Sequence, residues 1–128
     1  MNIVEASKNG DIDRVKDLLD SGVDPDLQNY YGKRGLMVAS YNNYREIVEL
    51  LLVNGADPNL QDDRGNTSLI RASVRGFIEI VRLLLDYGAD PNLQDSSGWT
   101  VLMMASADGY TRIVRLLLYY GADPDIRD

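Results

Sequence analysis

GNTSLIRASVRGFIEIVRLLLDYGADPN at residues 65–92 returns as GWTVLMMASADGYTRIVRLLLYYGADPD at residues 98–125, an offset of 33 residues. A fixed period of that size marks a protein built by stacking similar units. The period extends outward from this stretch. All four prolines obey it, at Pro25, Pro58, Pro91 and Pro124. Ten of the eleven glycines fall into three columns. One is Gly22, Gly55, Gly88 and Gly121; another is Gly32, Gly65 and Gly98; the third is Gly10, Gly76 and Gly109, with Asn43 in the same column. Laid out this way, the chain reads as one domain with a short N-terminal capping unit at 1–28, whose polar residues suit a cover, and full units at 29–61, 62–94 and 95–128.

Each unit carries two helical patterns. The second is the stronger: Ile47, Val48, Leu50, Leu51 and Leu52 form a broad apolar face, repeated at Ile80–Leu85 and Ile113–Leu118. Such a face suits a helix covered on two sides. The shorter preceding patterns carry Leu36, Ala39 and Ser40, then Leu69, Ala72 and Ser73, then Leu102, Ala105 and Ser106. Their small residues permit close helix approach. Thr67 and Thr100 stand where an N-cap side chain is wanted. The third glycine column ends the first helix and the Gly22 column ends the second. The proline three residues later stops that second helix from resuming. The Gly32 column sits in a polar tight turn before the next helix. Gly35 is the one glycine off register, near a helix start. Inside a helix it costs about 0.5–1 kcal/mol relative to alanine.

Composition removes several functions. The chain has no histidine and no cysteine. Imidazole bases, thiolate nucleophiles, disulfides and the usual structural zinc sites go with them. With 13 basic and 20 acidic residues the net charge is −7, which argues against nucleic acid as a partner. No stretch approaches the roughly 18 apolar residues of a membrane span. The first residues, Met-Asn-Ile-Val-Glu, lack the basic and apolar regions of an export signal, so an intracellular protein is expected. Asp57-Pro58-Asn59-Leu60-Gln61-Asp62 lacks the central glycine and closing glutamate of a calcium loop. No metal or cofactor is therefore expected, and the expectation is a protein that is not an enzyme.

The combination of GNTSLIRAS…GFIEIVRLLLDYGADPN and GWTVLMMAS…GYTRIVRLLLYYGADPD resembles the ankyrin repeat. That family's pattern is a turn with Asp-x-x-Gly, then Thr-Pro-Leu-His, a glycine, Ile-Val-x-Leu-Leu-Leu and Gly-Ala-Asp. The resemblance implies an all-α solenoid of stacked helix-turn-helix units with projecting hairpin-like fingers. Two departures stand out. Thr-Pro-Leu-His becomes Arg34-Gly35-Leu36-Met37, Thr67-Ser68-Leu69-Ile70 and Thr100-Val101-Leu102-Met103. The helix-start proline is absent, and the histidine that ties neighbouring loops in the family is replaced by an apolar residue.

The resemblance also implies where a partner sits: on the finger tips and the exposed side of the first helices, which form the concave face. Position by position this gives Tyr30, Tyr31, Lys33, Tyr41, Arg64, Arg71, Arg75 and Trp99 as partner-binding residues. They include the only tryptophan and three of the eight tyrosines, and aromatic residues and arginine dominate interface hot spots. Lys33, Arg64, Arg71 and Arg75 give this face a local basic character in an acidic chain, so a protein partner with an acidic or mixed patch is expected. The last unit keeps the internal pattern, Ile113 through Leu118 followed by Tyr119 and Tyr120. The sequence stops at Asp128, the first residue of a further unit on this period. One side of the 95–128 unit is thus expected to be exposed, with a homo-oligomer formed through residues 101–120. Two other readings remain open at this point. One is a consensus-like, ancestral or designed scaffold with no natural partner. The other is kinase inhibition, because Asn29-Tyr30-Tyr31-Gly32-Lys33-Arg34 looks like the first finger of ankyrin-type cyclin-dependent-kinase inhibitors.

Overall fold

The computed structural model describes residues 2–127. Met1 and Asp128, which enter the export-signal reading and close the 95–128 unit, lie outside the described residues. Among the described residues eight helices follow one another in four pairs: α1 (Ile3–Lys8) with α2 (Ile12–Asp20), α3 (Gly35–Tyr41) with α4 (Arg45–Val53), α5 (Ser68–Val74) with α6 (Ile78–Asp86), and α7 (Val101–Ala107) with α8 (Thr111–Tyr119). The first helices pack in one row, α1 on α3 on α5 on α7, and the second helices in another, α2 on α4 on α6 on α8. Between pairs the chain projects as loops. One of them carries the only strand-like pairing among the described residues, an antiparallel bridge between Gln28 and Arg34.

Period and packing agree. Ile47, Val48, Leu51 and Leu52, and their counterparts Ile80, Val81, Leu84 and Leu85, are buried between the rows. Full burial of one such side chain contributes about 1.5–3 kcal/mol. Thr67 Oγ1 accepts from the Ile70 amide at 3.2 Å and Thr100 Oγ1 from that of Met103 at 3.3 Å, so both cap their helices. Arg34, where a threonine would stand, makes no such bond. Asn43 takes φ +63° between α3 and α4, as its glycine column requires.

Gly35 has a reason that periodicity does not show. It is the first residue of α3 and is buried against α1. A Cβ there would lie 2.7 Å from Ser7 Oγ. The close crossing of α1 and α3 uses the missing side chain, so the helix-propensity cost is offset by packing.

The loop ties are polar after all, but from another column. Met37 and Ile70, at the family's histidine position, are buried apolar side chains. The tie is made by Asn59, whose Oδ1 accepts from the Asp90 amide at 2.7 Å and whose Nδ2 donates to Gly88 O at 3.1 Å. Asn92 repeats both bonds with Asp123 and Gly121. Gln61 and Gln94 add bonds from Nε2 to Gln94 O and Arg127 O. In the first tie the same position is Asp26, which accepts from the Asp57 amide at 3.0 Å and has nothing to donate. Burial pushes the Asp26 carboxyl above its ordinary value, against the lowering effect of the Asp57 amide. Asp26→Asn is therefore expected to stabilise the fold by about 1 kcal/mol at neutral pH, through a new bond to Gly55 O. Because the folded pKa is raised, the cost of ionising Asp26 sets in as pH rises past the ordinary carboxyl value and is complete above the raised one. The gain should fade as pH falls and the carboxyl protonates. Urea unfolding at neutral and acid pH checks this; no gain at neutral pH would refute it.

Candidate protein-binding surface

Three loops project beside the first helices, at residues 29–33, 62–66 and 95–99. Each is closed by the side chain of its first residue. Asn29 Oδ1 accepts from the amides of Tyr31 (3.0 Å) and Lys33 (2.9 Å). Asp62 Oδ1 does the same for Arg64 and Asn66, and Asp95 Oδ1 for Ser97 and Trp99. A backbone bond from the first amide to the fifth carbonyl completes every loop, as in Asn29 N to Lys33 O at 2.9 Å. The tips are thus held in one shape while their side chains face water. Tyr30 is 96% and Tyr31 78% exposed, with the rings edge to face at 5.4 Å. Lys33 and Arg64 are exposed, and Trp99 is partly so.

The helical members form a second group. The Arg75 guanidinium lies 4.5 Å from the centroid of the Tyr41 ring and 5.4 Å from that of Phe77. Arg71 stands 5.9 Å from the Tyr41 ring. These cation–π contacts hold Tyr41 from the α5 side. Arg71 Nη2 also donates to Asp62 Oδ2 at 2.8 Å. Burial alone would raise Asp62. The bonds from Arg71 and from the Asn66 and Arg64 amides outweigh it and hold the carboxyl below its usual range. That bond makes Arg71 a balanced charge that fastens a finger to α5, whereas the basic character expected from sequence counted it as free. Its stabilisation is complete above about pH 4 and is lost as pH falls through the lowered value.

The structure therefore brings Tyr31, Lys33, Tyr41, Arg71 and Arg75 to one side of the first three pairs, with Arg64 and Trp99 on the two later fingers. Sequence reasoning missed Lys8 and Val4 of α1, which line a cleft together with Tyr31, Lys33, Tyr41 and Arg71. The signal was present: Lys8 lies 33 residues before Tyr41. The other polar clusters have structural work. Tyr120 Oη donates to Asp86 across the last two pairs, and this bond raises the phenol above its ordinary value. Among the described residues, no group of three or more carboxylates is placed to hold a metal ion. Among the described residues, no helix is long and apolar enough to cross a membrane.

Stacked helix pairs with locked projecting loops define a solenoid repeat protein that offers a surface. The chain belongs to the ankyrin-repeat family: a family model described as ankyrin repeats in three copies matches residues 3–95 and again 36–128. Proteins of this family are generally protein–protein interaction modules. A search of curated proteins returned no match.

Proposed function

We propose that this chain is one non-enzymatic domain that binds a protein partner through its fingers and the exposed side of its first helices. Its units are residues 1–28, 29–61, 62–94 and 95–128. The observation that carries the reading is the pair Tyr30 and Tyr31, 96% and 78% exposed on a loop braced by the Asn29 side chain and by the backbone bond from Asn29 N to Lys33 O. Rigid loops lose little entropy on binding, and exposed aromatics on them gain the most contact area when covered. Lys33, Arg64 and Arg75 supply positive charge, which favours an acidic or mixed patch on the partner.

Affinity capture with the wild-type chain and with Tyr31→Ala/Trp99→Ala tests this. Hot-spot losses of 1–2 kcal/mol each predict a drop in partner affinity of at least about tenfold. The Tyr31→Ala change alone should leave the unfolding midpoint nearly unchanged, because that side chain is 78% exposed, whereas Trp99, at 38%, should also lose some packing. If wild type retains no specific protein, the binding reading fails and the scaffold reading stands. A second contact is favoured by α8, where Leu118 and Tyr119 are exposed side by side: self-association through residues 101–120.

A further inference from the structure

A cleft of about 380 Å³ opens between α1, the 29–33 finger, α3 and α5. Its wall contains three cations, Lys8, Lys33 and Arg71, and no carboxylate. That is unexpected in a chain where acids outnumber bases by 20 to 13. The charges are not equivalent. Arg71 is neutralised by Asp62 at 2.8 Å, while among the described residues neither Lys8 nor Lys33 enters an ion pair. The floor is apolar, with Val38 half-buried and the Tyr41 ring held in place by Arg75. The volume lies within the range of sites that enclose a ligand of several side chains' size. It exceeds what one carboxylate fills.

We propose that this cleft receives a short acidic segment of the protein partner. A Glu or Asp carboxylate of the segment meets Lys8 and Lys33, and an adjoining apolar side chain lies on Val38 and Tyr41. The inference rests on the protein-binding reading above and names the chemistry of one subsite. Two exposed lysines contribute little alone; the apolar neighbour supplies affinity and the charges select what enters.

The probe is a short fluorescein-labelled peptide alternating Glu with Phe and Leu, compared with its Gln-for-Glu counterpart by fluorescence anisotropy on the full chain. The acidic peptide should bind about threefold to tenfold more tightly, the worth of two exposed charge pairs. Lys8→Glu/Lys33→Glu should cost about tenfold or more. Lys16→Glu/Arg115→Glu, the same charge change at exposed second-helix positions, should cost under about twofold, because distant surface charge is screened. Amide NMR shifts should centre on Lys8, the 29–33 finger and Tyr41. Equal binding of both peptides, equal loss in both variants, shifts elsewhere or no saturable binding would each overturn the cleft. If the charge reversals unfold the chain, Lys8→Gln/Lys33→Gln takes their place with the same required order. The larger reading fails separately. A partner retained through Tyr31 and Trp99 but indifferent to Lys8 and Lys33 removes only the cleft. A positive peptide result with no partner retained removes only the module.

Discussion

Gly65→Val is expected to lower stability by about 3–5 kcal/mol, more than the same change at Gly88 by at least about 2 kcal/mol. Both glycines have positive φ, +78° and +91°, where a β-branched residue is strained. They differ in what surrounds them. A Cβ at Gly88 meets nothing within 4 Å, whereas one at Gly65 would stand 2.8 Å from Asp95 Cα and 2.8 Å from Ser96 N. Those neighbours are backbone and cannot rotate away. The approach is fixed by the bond from the Ser96 amide to Arg64 O at 2.9 Å, so valine must break the contact between two fingers as well as strain its own backbone. Losing that bond adds about 1 kcal/mol to the strain. Denaturant unfolding of the two variants decides it. Equal losses would show that the finger-to-finger approach contributes nothing. The spacing of the fingers also positions Arg64 relative to Trp99, so a folded fraction of Gly65→Val should bind the partner more weakly than wild type.

Gly65 shows which features a single sequence conveys. Its column predicted a tight turn, and the turn is there, because turn chemistry is local to four residues. The close approach to Asp95 and Ser96 belongs to the next unit, and no local rule reaches it. Gly35 behaves the same way. As a helix-start glycine it reads as a small cost, and only the crossing of α1 over α3 reveals that Ser7 occupies the place of its side chain. The caps at Thr67 and Thr100 and the left-handed Asn43 were legible for the same local reason. On the surface, exposure of the finger aromatics followed from the family's geometry. The balance of charge did not: Arg71 and Asp62 are nine residues apart in sequence, and their pairing depends on how a finger folds back on α5. Lys8 stayed hidden because the first unit was read for its polarity as a cover, without being aligned to Tyr41.

The period also supplies an internal control for the last helix pair. Leu52 and Leu85 are 5% exposed, and Leu118, next in the column, is 45% exposed. Pro58 and Pro91 are buried while Pro124 is exposed, and Ser40 and Ser73 are buried while Ser106 is exposed. One face of α7 and α8 thus has the composition of an interior without a cover. Leu85→Ala should cost about 2–4 kcal/mol, the usual loss for a core leucine. Leu118→Ala should cost under about 1 kcal/mol in dilute solution, since little burial is lost. Equal costs in dilute solution would mean that Leu118 is already covered. At high concentration the difference should reverse in kind. If the face meets a second copy, wild type gains mass in light scattering and Leu118→Ala/Tyr119→Ala does not; a monomeric wild type at millimolar concentration rejects self-association. The geometry of such a contact is constrained. The outer side of the first pair carries Arg14 where later pairs have Ile47, Ile80 and Ile113, and Asp11 where they have Tyr44, Phe77 and Tyr110. Head-to-tail growth would bury the Arg14 guanidinium, which enters no ion pair among the described residues, and the Asp11 carboxylate, whose bond is to the Arg14 amide, against an apolar face at several kcal/mol for an unpaired charge. A contact between two identical α7–α8 faces buries none of them and closes after two copies.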